Sequence, residues 1–342
     1  MFDVLPFLFP AQWTKLKFLR KFWFFIPNMT RFSFHKLCLS TILLLALSIS
    51  EAVYGQDGFA AESLGGKGGK TVSVNTAADL TQMLKSEGPL IIKVSGTLAI
   101  GSVAVASQKT VIGTGKNPTI VGNLYLRSGV EHVILKNLTF TNPMNSKGKG
   151  GGDGVTIRGG KKVWIDHCTF VDCGDGCIDI TEGANDVTVS WCKFYYINQP
   201  KHRYTMLAVG RAVKKKKKRD IKEVRVTLHH NWWGQGCDSR MPAARKAHVH
   251  MYNNYFNCPG NFYCTNARAD ALILSESNYY QDVQNPIYAE SGGRLKTKDN
   301  RFDNCTGKAE QRDDEVFDPP YDYVVDNVSK VPEMVRRKAG AH

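Results

Sequence analysis

Short runs rich in β-branched and aliphatic residues fill the chain from residue 90 onward, and Gly, Asn and Asp cut them apart. LIIKVSGTLAI, KTVIGTG, PTIVGNLYL, HVILKNLTF, GVTIRG, KVWIDH, VTVSW, VRVTLHHN, AHVHMYNNYF and ALILSESNYY are the clearest. Runs of this kind read as strands and the interruptions as turns. They also recur. VWIDHCTF at residues 163–170 overlays VTVSWCKF at 187–194, with valine, aliphatic, cysteine and phenylalanine positions coinciding at an offset of 24. Asn231, Asn254, Asn278 and Asn300 stand 23, 24 and 22 residues apart. Stacked asparagines at such a turn are expected to hydrogen-bond from rung to rung. Repeats of this length, with no helices between strands, predict an all-β solenoid of the parallel β-helix type; a propeller blade needs about 40 residues or more per repeat. Residues 77–85 (AADLTQMLK) have helical periodicity and are expected to cap the open end of the solenoid core. Residues 314–342, richer in Pro and charge, are expected to pack along its outside.

The first 55 residues do not fit this pattern. Residues 29–36 (MTRFSFHK) are a short basic stretch, residues 37–48 an apolar run, and Val53 and Gly55 suit the small positions before a cleavage at Gln56. The run is shorter than the roughly 20 apolar residues of a membrane span. We therefore read residues 1–55 as a targeting segment, with Met29 as an alternative start, and 56–342 as one folded domain. Export without stable membrane insertion, to the extracellular space or a periplasm, is expected.

Charge and cysteine content refine this picture. The chain carries a formal charge of +14. Residues 1–55 hold six Lys/Arg and two Asp/Glu, so +10 remains without them. An acidic partner is implied: nucleic acid, anionic membrane or acidic polysaccharide. The basic run KKKKKR at 214–219 has no interleaved aromatics, which argues against nucleic acid and for a solvated loop. Of nine cysteines only Cys38 falls in the targeting segment, and the even remainder predicts disulfides. Cys168 and Cys192, at one repeat position, are the expected neighbours. Zinc binding by Cys173 and Cys177 is weaker, because no second pair has ligand spacing.

Two constellations carry chemistry. Asp153 and Asp175 are 22 residues apart, one rung, and Asp179 follows by four, on the same side of an extended segment. Three converging carboxylates call for a cation, and oxygen-only ligands favour Ca²⁺; turn aspartates beside Gly154, Gly174 and Gly176 are the plain alternative. Asp166, about half a rung from Asp153, should face elsewhere. The second constellation is Arg240-x-Pro-x-x-Arg245, whose guanidinium forks suit carboxylates. Two surface arginines in ordinary ion pairs would look the same.

Taken together, Val163-Trp-Ile-Asp-His167, the Asp175/Asp179 pair and Arg240-x-Pro-x-x-Arg245 followed by VHMYNNYF resemble the pectate lyase family of polysaccharide lyases. The resemblance implies a right-handed, single-stranded parallel β-helix, secreted and monomeric, that cleaves polygalacturonate by Ca²⁺-dependent β-elimination. It assigns Asp153, Asp175 and Asp179 to calcium, Arg240 to the base and Arg245 to a substrate carboxylate. It makes Asp166 and His167 structural members near the site. Lys201 is the expected third cationic substrate contact, with Arg203 as rival, because the segment after VTVSW is longer than in the family. Lys246 stands where the family often has glycine. Loss of the C5 proton of a uronate builds charge on its carboxylate, which a Lewis acid stabilises. Hydrolysis would instead need two carboxylates free to act as acid and base. An arginine base is chemically demanding, since a guanidinium holds its proton far above neutral pH. Two competing readings are a pectin lyase acting on esterified chains without Ca²⁺, which would not need the acidic triad, and a non-catalytic β-helix that binds acidic polysaccharide, which would not need Arg240 and the triad together.

Overall fold

The computed structural model describes residues 57–143, 152–198, 202–215, 218–222 and 224–342. The expected targeting segment and Lys201 lie outside the described residues.

The predicted coil is present. One parallel sheet has ten strands in strict chain order, from Lys70–Val74 through Lys161–Asp166 and Asn185–Ser190 to Arg294–Lys298. The other parallel sheet has two ladders. They are joined by the nine-residue strand Thr119–Arg127, which pairs first with Thr139–Thr141 and then with Val155–Arg158. A single rung thus runs Lys161–Asp166, Thr169–Val171, Ile178–Thr181, and the next begins at Asn185. The result is a right-handed parallel β-helix.

Because the register is kept from rung to rung, equivalent side chains stack in columns. Val133, Val163, Val187, Val226, Val249, Ile273 and Leu295 form one, all fully buried. A second is aromatic: Phe140, Phe170, Phe194, Trp233, Phe256, Tyr280 and Phe302 stack with ring centroids between 4.3 and 5.3 Å. Burial of these columns supplies most of the driving force for the fold.

The corner after the ten-stranded sheet has its own column. His167, Trp191, His230, Asn253, Ser277 and Asp299 all adopt left-handed φ between 47° and 55° there, which turns the chain sharply at a cost to non-glycine residues. The next residue on each lower rung is the predicted asparagine. Asn231 Nδ2 donates to Asn254 Oδ1 (3.0 Å), Asn254 to Asn278 (2.9 Å) and Asn278 to Asn300 (3.1 Å). Each Oδ1 also accepts the backbone N–H of the asparagine on the preceding rung. Asn254→Ala would strand the Asn231 amide and the Leu228 carbonyl that Asn254 now satisfies. It is expected to lower unfolding stability by about 3 kcal/mol, read from the denaturant midpoint; a loss below about 1 kcal/mol would mean that the ladder only decorates a corner held by the aliphatic and aromatic columns.

Cys168 and Cys192 occupy the upper rungs of this same column, so their predicted adjacency holds: the Cys168 amide donates to Cys192 Sγ at 3.4 Å. The predicted disulfides do not. All eight described cysteines are free, and seven are buried. Their thiols donate to carbonyls instead, Cys168 to Asp166 (3.4 Å) and Cys192 to Ser190 (3.3 Å). They act as small apolar fillers of the coil. A hydrogen bond with Cys177, together with burial, pushes the Cys173 thiol up. Among the described residues no three His, Cys, Asp or Glu stand together as a metal-holding group.

The helix Ala77–Lys85 forms as predicted. Thr76 caps its first turn by accepting the Asp79 amide, and Leu80 and Leu84 are fully buried over the coil end. The C-terminal segment runs along the outside, as predicted, with Tyr321 bonded to Thr227 and His250 and Tyr323 to Glu276. It also contains a helix not expected from sequence, Val331–Lys338, whose Val331 and Val335 pack against Tyr255 and Tyr279. The last residues return to earlier rungs, where Gly340 N donates to Trp191 O and Ala341 N to Thr169 Oγ1. The described flanks of the basic run pair as an antiparallel ribbon, Arg211–Lys215 with Lys218–Lys222; Lys216 and Lys217 lie outside the described residues.

Candidate active site

The site is built on the ladder of strands Val155–Arg158, Ile178–Thr181, Met206–Val209, Ala243–Arg245 and Thr265–Arg268. Val155, Ile157, Ile178, Ile180, Met206 and Ala208 point into the core. The alternate residues Thr156, Asp179 and Leu207 therefore face outward, each in register with the next.

Asp153 lies just ahead of the first of these strands, and Thr156 Oγ1 donates to its Oδ2 at 2.7 Å. Its Oδ1 is buried and has no hydrogen-bond partner. Gly176 lies between Asp153 and Asp179: a Cβ there would come within 3.2 Å of Asp153 Oδ1 and 3.4 Å of Asp179 Oδ1. Glycine lets the two carboxylates converge. Burial first, and repulsion from neighbouring carboxylates second, push Asp153 up to about 6 and Asp179 up to about 7. Asp175 contributes to that repulsion on both, and Arg240 opposes it on both. All three aspartates and Arg240 are thus electrostatic neighbours. One detail differs from expectation. The strand begins only at Ile178, so Asp175 reaches the cluster from an exposed bend, not from the same strand face as Asp179.

Arg240 is half-buried, with its guanidinium carbon 4.0 Å from the Tyr204 ring centroid. A left-handed φ of 63° aims its side chain. Its carbonyl accepts from the Met206 amide at 2.7 Å and from the Thr205 hydroxyl. The backbone is therefore pinned independently of the guanidinium. Arg245 ends the strand Ala243–Arg245, exposed and in register with Val209 and Arg268. A cleft of about 690 Å³ crosses these rungs; Asp179 and Arg245 line it, together with Tyr125, Thr156, Arg158, Thr181, Glu182, Val209, Gly210 and Lys246. Asp153, Asp175 and Arg240 are not in its wall. Lys246 has a φ of 47°, which explains why glycine suits that position.

The rival cation Arg203 is paired with Asp238 at 3.4 Å. Asp166 and His167 lie at the end of a strand of the ten-stranded sheet and its corner, away from the ladder that carries this site. Asp166 is in the ten-stranded sheet, buried and held by Lys136 (2.9 Å), His167 (2.8 Å) and Ser190 (2.7 Å). Against burial, which raises it, His167 and Lys136 hold its carboxyl below the usual range. His167 stacks on Trp191 at the corner. The half-rung offset from Asp153 puts the pair on another face of the coil. Sequence reasoning missed Tyr204, Tyr125 and Arg158, because each is recognised only by its register with a residue one or more rungs away.

Comparison with known proteins agrees with this architecture. The family model described as pectate lyase matches residues 34–314. A pectate trisaccharide-lyase of Bacillus licheniformis is 29% identical over 313 residues, covering 84% of this chain and 87% of the relative. One from Thermotoga sp. (strain RQ2) is 30% identical, covering 82% and 84%. Among solved structures, a Bacillus subtilis pectate lyase variant superposes with a TM-score of 0.69 at 21% identity, covering 84% of this chain and 97% of that one, a likeness of fold. A pectate lyase from Bacillus sp. N165, solved in complex with trigalacturonate, gives 0.65 at 25% identity, covering 84% and 99%. With the family model spanning most of the coil and the ladder that carries Asp179 and Arg245, this chain belongs to the pectate lyase family and is a polysaccharide lyase.

Proposed function

We propose that the protein is a secreted, monomeric pectate lyase that cleaves polygalacturonate by Ca²⁺-dependent β-elimination and leaves 4,5-unsaturated oligogalacturonates. The observation that carries this reading is the buried, unpartnered Oδ1 of Asp153 facing Asp179 across Gly176, with Arg240 as their common cationic neighbour. Two half-buried carboxylates that repel each other fit a divalent cation, and an all-oxygen donor set fits Ca²⁺. Asp153 and Asp179, converging across Gly176, would hold it together with Asp175 from the neighbouring bend, although the three do not stand as a ready-made three-ligand group. Ca²⁺ takes six to eight oxygens, about twice what three monodentate carboxylates provide, which leaves positions for water and a uronate carboxylate. Bound there, the ion supplies positive charge to stabilise the negative charge that builds on that carboxylate as the C5 proton leaves. Arg240, positioned by its left-handed backbone and by Tyr204, accepts the C5 proton in its neutral form, the guanidinium first giving its own proton to solvent. Arg245 fixes the substrate through a carboxylate on the exposed side of the cleft. Expulsion of the C4 oxygen, which takes up a proton from solvent, then breaks the chain and leaves the double bond between C4 and C5.

Incubation with polygalacturonate should release product with the ultraviolet absorbance of an unsaturated uronide. Absence of such product, with the polysaccharide still bound, would select a non-catalytic binder. Undiminished release in chelator, with preference for esterified pectin, would select the Ca²⁺-independent alternative.

A further inference from the structure

Along the outer edge of the cleft, Arg127, Arg158, Thr181, Val209, Arg245 and Arg268 form one column, each in register with the next. A parallel register keeps them on one face, and rungs are about 4.8 Å apart. Arg127 therefore stands beside Arg158, and Arg245 beside Arg268. Like charges directly opposed in a sheet are destabilising, yet the fold keeps two such pairs. Glu182 lies 3.5 Å from Arg158, whose side chain is 57% exposed, so the pairing is weak. Among the described residues Arg127, Arg245 and Arg268 form no ion pair, although the acid Glu290 follows Arg268 in the same register. The Arg268 Nε is buried without a hydrogen-bond partner. The cleft wall runs unbroken from Arg158 to Arg245 through Thr181 and Val209.

We propose that Arg127 and Arg158 form a second carboxylate-binding site, three rungs from Arg245, that grips a remote uronate of the same substrate chain. The proposal rests on the polygalacturonate reading above. A polyanion with a carboxylate on every residue, laid along this column, meets the Arg245 pair at one end and the Arg127/Arg158 pair at the other. It relieves the repulsion at both, and the planar forks suit its carboxylates. The consequence is a preference for chains long enough to span both ends.

The test is kcat/KM on oligogalacturonates from the trimer to the hexamer, for the wild type, Arg158→Ala, Arg158→Lys and Arg127→Ala, with melting temperature as the fold control. In the wild type kcat/KM rises with length. In Arg158→Ala that rise is expected to shrink about fivefold, mostly through KM. Arg158→Lys should recover part of it, since it keeps the charge but not the fork. Arg127→Ala should shrink the rise in the same sense, and it carries the test if Arg158→Ala does not fold. Length profiles that parallel the wild type in both alanine variants would overturn the proposal and leave only a general cationic rim. A wild type that releases no unsaturated product from any length would sink the lyase reading, and this inference with it.

Discussion

Arg240→Lys is expected to lower kcat about a thousandfold, within the range of a lost general base, while the melting temperature and the affinity for Ca²⁺ stay near the wild type. The substitution keeps a positive charge, so the Coulombic relief that Arg240 gives Asp153 and Asp179 survives. The backbone bonds at this residue come from its carbonyl, which accepts from Met206 and Thr205 whatever the side chain. The planar guanidinium stacked 4.0 Å over the Tyr204 ring is lost, and a flexible ammonium does not reproduce its placement. The loss should therefore fall on kcat more than on KM, the signature of an interaction made in the transition state. Steady-state rates on polygalacturonate, beside Ca²⁺ titration by calorimetry, check this. Rates within a few-fold of the wild type would remove Arg240 from the role of base.

Removal of Ca²⁺ by chelation is expected to reduce turnover at least about 100-fold, and added Ca²⁺ should restore it. Asp179→Asn tests the same site from the protein side. Changes in residues that merely support metal ligands cost about 10- to 100-fold in affinity, so loss of a ligand carboxylate should raise the Ca²⁺ needed for half-maximal activity by at least about 100-fold. The variant should fold, because Asp179 is an outward-facing strand residue and removing its charge relieves repulsion with Asp153 and Asp175. Measuring activity against free Ca²⁺ for both proteins decides the matter. Full activity in chelator, or an unchanged Ca²⁺ requirement in Asp179→Asn, would exclude these carboxylates as the ion's ligands.

Periodicity along the chain was enough to determine the coil. Every strand of the two long sheets has a parallel neighbour in register, even though the offset runs from 19 residues (Leu90 to Lys109) to 39 (Val187 to Val226), and stacked positions share one environment. That is why the asparagine ladder, the capping helix Ala77–Lys85 and the adjacency of Cys168 and Cys192 could be read from spacing. The same logic overreached with the cysteines. Spacing places thiols side by side but does not say whether they oxidise, and here carbonyl acceptors take them up. The family resemblance, not the spacing, set Asp166 and His167 beside the site; the half-rung offset from Asp153 already pointed Asp166 to another face of the coil, where it is held by Lys136 and Ser190.

The sequence by itself determined the repeat, the columns that fill the interior, and the residue types from which a uronate site can be assembled, since all of these depend on offsets along one chain. Only the tertiary structure decided which carboxylates meet. Gly176 opens the space between Asp153 and Asp179, Tyr204 packs beneath Arg240, and Arg127 and Arg158 join the line of Arg245. The physical reason is that rungs differ by insertions at their corners, and a single added residue in a strand would turn every following side chain to the opposite face. Lateral neighbours across rungs are therefore fixed by hydrogen-bond register and not by counting.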